Sequence, residues 1–426
     1  MPYVLGIHIG NTSAVAAVAR WQDGGWGRPE TVALRPTEAS LPSTMVLSPD
    51  GTFTLGEVGD ASRTARGILG RVGDDVPLLL DGNPYPPPTL IALLAAHVIE
   101  WVGEQEGEVA EAIVLSHPAG WGRHRRDLLQ QALWERRLGE AALLPRTVTV
   151  AESHAARGFP GGLAAVYALG GDTFEAALVR RNSRGRYETV GVPQGLSCLG
   201  GTTFDEALAG HVRTVLAREL AAAGPGAEAT LRGLPAECER AKRDLTVGSQ
   251  TDVQLSLPTG PVRVPVTRLQ FEELIRPAVR ATVELLLRAV HAAGLAPARL
   301  DGVLLTGAST RIPLVAELLA AAGLPVETAP DPQTTAATGA AVAAAQILTP
   351  APLPAGPPAP AGGVARTPGG MTGRPAENQP PHDEPPPRPP IRFTPLDLPK
   401  PSRRTLWMFP VLPGTGTTTG PSVRVC

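Results

Sequence analysis

The sequence predicts an α/β protein over about residues 1–348, followed by a proline-rich tail, 349–426. Three observations predict this. Short apolar runs with strand character alternate with longer runs of helical periodicity. Two strand–turn–strand units of similar make-up lie about a domain's length apart: Gly10-Asn11-Thr12 followed by Ala16-Ala17-Val18, and Gly171-Asp172-Thr173 followed by Ala177-Leu178-Val179, an offset of 161 residues. Composition then shifts: of 46 prolines, 18 lie between Pro350 and Pro401. Such a segment can neither donate regular backbone hydrogen bonds nor bury a core, so it is expected to be extended and disordered.

In order, the apolar runs 4–9 and 14–19 flank the Gly-Asn-Thr tip and predict a hairpin. Further strand-like runs fall at 44–47, 112–115, 164–168, 176–179, 253–257 and 302–305. Helical periodicity predicts helices at 89–104, 123–137, 204–222, 235–245, 271–293, 312–322 and 335–347. With 426 residues the chain has ample core. The last 25 residues hold Trp407, Met408 and Phe409 but are too few to fold alone.

A net charge of −2 gives no reason to expect a nucleic-acid or membrane-surface partner. The three cysteines, Cys198, Cys238 and Cys426, are far apart, which favours a reducing cytoplasm over a disulfide frame. The N-terminus lacks a basic region before its apolar run, so it does not read as a signal peptide. No stretch reaches the length of a transmembrane helix.

Glycine at a hairpin tip permits positive φ and lets backbone N–H groups approach a ligand; with threonine hydroxyls they make a nest for an anion, most often phosphate. Each tip alone reads equally as a plain turn. In "LLTGASTRIP", 304–313, a strand enters a Gly-Ala-Ser turn suited to a flat ligand, with Arg311 able to stack on a base. In "ECERAKRDL", 237–245, Glu239, Lys242, Arg243 and the following Thr246 share one helix face. That face can serve a ribose and adenine or be simply a solvated surface. "LGGTTFDEAL", 199–208, puts Gly200-Gly201 before a helix N-terminus, an anion site or a capped start with Thr203 as the cap.

On these residues the chain resembles the nucleotide-binding domain of the DnaK-type heat-shock chaperones, in the actin, sugar-kinase and chaperone ATPase superfamily. The resemblance runs over about 1–347 in the family's order. "GIHIGNTSA" is similar to the family's GIDLGTTNS, "LPSTMVL" to TPSVVAF and "LSHPAGWG" to TVPAYF. "VAESHAARG" resembles the first connecting segment INEPTAAAL, and "VYALGGDTFEAAL" the second phosphate hairpin VYDLGGGTFDISL. "LGGTTFD", "ERAKRDL" and "GASTRIP" resemble LGGEDFD, ERAKRTL and GGSTRIP, and 331–345 resembles the second connecting segment.

The resemblance implies a two-lobed actin-like ATPase fold of duplicated RNase H-like domains, with lobe I at 1–150 and lobe II at 151–348. It implies ATP or ADP in the cleft, phosphates between Gly10, Asn11, Thr12 and Gly170, Gly171, Asp172, and Gly200 and Gly201 near the nucleotide. Adenosine would lie between Glu239, Lys242, Arg243, Thr246 and the turn of Gly307, Ala308, Ser309, Arg311 and Ile312. Two connecting helices would act as a hinge. For hydrolysis it implies Glu152 orienting water, Thr173 in the second hairpin, Glu175 in place of an Asp, and Arg66 in place of a phosphate-contacting Lys.

The chain departs from the family where magnesium is organised. The two carboxylates at the hairpin bases are replaced by His8 and Ala168, and Asp172 at the tip is the substitute carboxylate on offer. His8 is either a neutral core residue or, protonated, a counter-charge for phosphate. After Ile347 the pattern gives no peptide-binding sandwich and no apolar interdomain linker. The PPxP stretches at 385–390 can serve an aromatic groove or act as a spacer, and "LPGTG" at 412–416 is read as a coincidental sorting signal. The leading expectation is a nucleotide-binding, chaperone-type domain with weak or absent hydrolysis. The alternatives are a non-catalytic nucleotide-sensing scaffold, with a protein partner through its lobes or tail, and a small-molecule kinase.

Overall fold

The computed structural model describes residues 1–349 except 37, 57–59 and 225–226. The tail, with its PPxP stretches, lies outside the described residues.

The first sheet grows from the N-terminal hairpin. β1 (Tyr3–Ile9) pairs antiparallel with β2 (Ser13–Gln22). Helix α1 (Pro87–Glu106) follows, entered through Pro87 and Pro88, whose missing N–H groups cost nothing in a first turn. β3 (Ala112–His117) then lies parallel to β1, α2 (Arg123–Glu135) crosses over, and β4 (Ala142–Pro145) lies parallel to β3. The second sheet repeats this order. β5 (Leu163–Leu169) and β6 (Phe174–Arg181) form the hairpin, and β7 (Tyr187–Leu196) extends it on the outside. After α4 (Gly201–Val215), α5 (Ala217–Ala223), α6 (Ala227–Val247), the hairpin of β8 (Gln250–Leu257) with β9 (Gly260–Thr267), and α7 (Arg268–Ala292), strand β10 (Gly302–Thr306) lies parallel to β5. Past α8 (Pro313–Ala321), β11 (Val326–Glu327) lies parallel to β10. An antiparallel hairpin followed by two parallel strands is thus built twice.

The hairpins superpose with a shift from the expected offset. Ile9 pairs with Ala14 as Leu169 pairs with Phe174. Gly10 N–H donates to Ser13 O at 2.8 Å, as Gly170 N–H does to Thr173 O at 3.0 Å. Gly170, not Gly171, is therefore the counterpart of Gly10, and Ser13 matches Thr173. The sequence echo aligned the tips by residue type, whereas the ladder register fixes them by backbone pairing.

Two further expectations change. The helical run 204–222 is two helices parted at Leu216, whose backbone, at φ of −92° and ψ of +17°, leaves the helical region and closes α4. Pro235 does not start a helix but lies inside α6. Leu234, Cys238, Ala241 and Leu245 of α6 are all buried in the second lobe's core; at about 1.5–3 kcal/mol for each large apolar side chain, that face offsets one lost hydrogen bond.

Strand alternation sets the two faces. Tyr3, Leu5, Ile7 and Ile9 pack toward α1 and α2, and Ala165, Tyr167 and Leu169 toward the second lobe's main core. Positions 4, 6 and 8 of β1, and 164, 166 and 168 of β5, face the other way. There two helices meet, α3 (Arg146–Ala156) and α9 (Thr335–Leu348). α3 buries Val150 and Ala151 against Ala164, Val166 and Leu304. α9 lays Ala337, Ala340, Ala341 and Ala344 on Val4, Val15, Ala17 and Val114 of the first sheet. Backbones come close enough that side chains must be small. A Cβ on Gly6 would collide with Ala341 N and the Ala337 carbonyl, and one on Gly339 with the Thr149 carbonyl. Ser153 and Thr338 hydroxyls share a hydrogen bond of 2.7 Å at the crossing.

Candidate functional site: a cleft between two hairpins

His8 and Ala168 end the strand faces that look inward, so the alternation of β1 and β5 delivers both hairpin tips to one cleft. It has a volume of about 350 Å³, within the range of small-molecule sites. Gly10, Asn11, Thr12, Gly170, Gly171, Asp172 and Thr173 line it, with Gly307 and Ala308 at one end. The tips abut: a Cβ on Gly171 would strike the Thr12 side chain. Asn11 Oδ1 accepts from Gly70 N–H at 2.8 Å, which ties the first tip to the 3₁₀ turn Ile68–Arg71.

The second tip is braced from behind. Gly201 N–H donates to Gly170 O at 3.0 Å, Thr202 N–H to Gly171 O at 2.7 Å, and Ser309 Oγ to Gly170 O at 2.9 Å. The N-terminus of α4 therefore spends these donors on hairpin carbonyls rather than on an anion, and Thr203 Oγ1 accepts from Gly200 N–H. Gly307, with φ of +93°, takes a conformation suited to glycine and leaves no room for a Cβ beside the Leu169 carbonyl. Asp172 Oδ1 accepts from Thr202 Oγ1 at 2.7 Å, so this carboxylate leans on α4.

The adenosine face is only partly assembled beside the tips. Lys242 Nζ donates to Gly201 O at 3.0 Å and to Asp205 Oδ2 at 2.6 Å. Burial pushes the Asp205 carboxyl up to about 6, against the pull of Lys242. Thr246 Oγ1 donates to the Lys242 carbonyl. Glu239 pairs with Arg243 on the exposed surface and Arg311 with Asp331 at 2.9 Å, while Ile312 is buried. None of Glu239, Lys242, Arg243, Thr246, Ser309, Arg311 or Ile312 lines the cleft.

Two hydrolysis candidates lie elsewhere. Glu152 is buried, and its carboxylate accepts from Tyr187 N–H and Gln346 Nε2, both at 3.0 Å, away from the cleft. Its helix explains this: α3 begins at the cleft with Arg146, and six residues on a side chain points about 240° round the axis. Through these two bonds Glu152 joins β7 and α9. Arg66 is exposed and does not line the cleft either. Gly67, with φ of +61°, turns the chain there, and Leu69 and Gly70 reach the cleft instead.

Sequence reasoning missed Arg146 and Arg125, which do line the cleft. Arg146 Nη2 lies 2.6 Å from Glu175 Oε2, both residues buried. Glu175 stands opposite Ala168 in the ladder, and its Oε1 accepts from Gly120 N–H of the first lobe at 3.0 Å. Among the described residues the Arg146 Nε has no partner. His8 Nδ1 bonds Ser116 Oγ at 2.8 Å. Burial, helped by nearby Arg146, lowers the imidazole to about 3, so it is neutral. An isolated arginine in "LLPRTV" carries no motif signal; its burial is decided by the fold.

Two sheets of one topology, each presenting a glycine-led tip to a shared cleft above two crossing helices, define an actin-like ATPase fold. The model of the family described as Hsp70 protein matches residues 161–353. Over those residues the match supports an Hsp70/DnaK-type nucleotide-binding domain. Among the described residues, no helix is long and apolar enough to cross a membrane.

Magnesium, which the family implies, does not fit these residues. The ion takes about six oxygens in strict octahedral geometry, anchored by one or two carboxylates. At the hairpin bases stand His8 and Ala168, and Asp172 at the tip is turned to Thr202. Both Glu175 oxygens are engaged, and a neutral imidazole is a poor ligand for a hard cation.

Proposed function

We propose that the protein binds ATP or ADP in the interlobe cleft and hydrolyses ATP slowly or not at all. The observation that carries the reading is the matched closure of the two tips, Gly10 N–H to Ser13 O and Gly170 N–H to Thr173 O, on one cleft. Tips of this kind hold phosphate through backbone N–H groups and adjacent hydroxyls, here Thr12, Ser13 and Thr173. Gly307 and Ala308 continue the cleft toward the nucleoside side.

Hydrolysis needs a water held in line with the γ-phosphate and charge stabilisation around it. The carboxylate nearest the second tip's base, Glu175, is held by Arg146 and Gly120, and Glu152 serves β7 and α9. The test pairs a nucleotide-binding titration with a single-turnover ATPase assay. Binding with turnover far below that of an intact chaperone is the expected result; hydrolysis at the intact rate overturns the loss of catalysis.

A further inference from the structure

We infer that the cleft takes the phosphate chain of its ligand without a divalent cation, with Arg146 donating to it. The inference rests on the nucleotide reading and names the charge that replaces the metal.

Five observations carry it. Arg146 is 9 % exposed and lines the cleft. It uses one guanidinium nitrogen on Glu175 at 2.6 Å, while its Nε has no partner among the described residues. A buried donor without an acceptor is unfavourable, and a ligand oxygen would satisfy it. At the hairpin bases stand a neutral imidazole, bonded to Ser116, and a methyl group. The site therefore holds no base-strand anions that a cation must neutralise before phosphate can enter. Glu175, the buried carboxylate at the cleft floor, is already paired, and Asp172 is turned to Thr202. Arg125, exposed on α2, adds a second guanidinium to the lining. A planar guanidinium suits phosphate oxygens through directed N–H donors, which a metal-free site requires.

The experiment is isothermal titration of the full chain with ADP, and separately with inorganic pyrophosphate, in excess magnesium and again in EDTA. ADP affinities within about threefold of each other support the inference. The double variant Arg146→Gln with Glu175→Gln, which leaves no unpaired buried charge, should weaken ADP in EDTA by about tenfold or more. Thermal melting checks that this variant is folded; if it is not, Arg146→Lys, which keeps the charge and loses the Nε donor, should still weaken ADP several-fold. ADP binding that gains more than about threefold from magnesium overturns the inference and leaves the nucleotide reading standing. Variants that bind ADP like the parent overturn the assignment of Arg146. Pyrophosphate binding in EDTA without ADP binding supports the inference and overturns the nucleotide reading; no binding of either probe overturns both.

Discussion

Arg146 and Glu175 meet at 2.6 Å on the floor of the cleft, one at the start of the connecting helix α3 and the other on the second hairpin. Through its other oxygen, Glu175 also holds Gly120 of the first lobe. One carboxylate therefore joins the start of α3, the second hairpin and the Gly120 backbone. Removing either partner leaves an uncompensated buried charge, which costs about 3–5 kcal/mol. Arg146→Met alone and Glu175→Leu alone should each lower stability by about that much in urea unfolding, and the double substitution should recover most of it.

The crossing of α3 and α9 depends on a missing side chain. Gly339→Ala places a methyl group against the Thr149 carbonyl, with Ser153 N 3.0 Å away. Overpacking of this kind costs about 3 kcal/mol or more. The expected outcome is a clear drop in melting temperature, whereas Gly82→Ala, in open space but at φ of +77°, should show only the smaller cost of backbone strain.

Acid should unfold the protein partly through its histidines. Burial lowers His8 to about 3 and His154 to about 4, from 6.5 in the unfolded chain, and His117 moves the same way. The folded state then binds fewer protons than the unfolded one, so this stabilisation is full above pH 6.5. It is lost as pH falls below that value, down through the folded pKa of each ring. Melting temperature should decline from pH 6.5 toward 4, and His8→Asn should make that decline shallower.

Asn11 ties the first tip to the turn at Gly70 through one hydrogen bond of 2.8 Å. Asn11→Ala should leave stability within about 1 kcal/mol of the parent. If the tip holds phosphate, the looser tip should weaken ADP by several-fold in titration; an unchanged affinity counts against a role for this tip.

Much of this site is legible in the one-dimensional pattern. Apolar runs on either side of glycine tips gave both hairpins, and "GASTRIP" gave the strand and turn ending at Gly307. Period-two alternation within β1 and β5 places His8 and Ala168 on the inward face without any tertiary information. Neither Glu152 nor Arg66 lines the cleft. Each lies in a segment whose motif places it near phosphate, but helix phase turns one away and a left-handed glycine turns the other.

Sequence by itself determined the alternating α/β pattern and the pair of glycine-led tips, because those follow from residue type and local period; that His8 and Ala168 stand where carboxylates are expected is what the family resemblance implies. Only the tertiary structure decided the hairpin register, the use of the α4 N-terminus on hairpin carbonyls, and the burial of Arg146 against Glu175. These join residues far apart in the chain, where no local pattern records which groups meet. Partnering and burial in turn set what each charge can do: the guanidinium beside His8 acts in the cleft because the fold, not its neighbours in sequence, took it out of water.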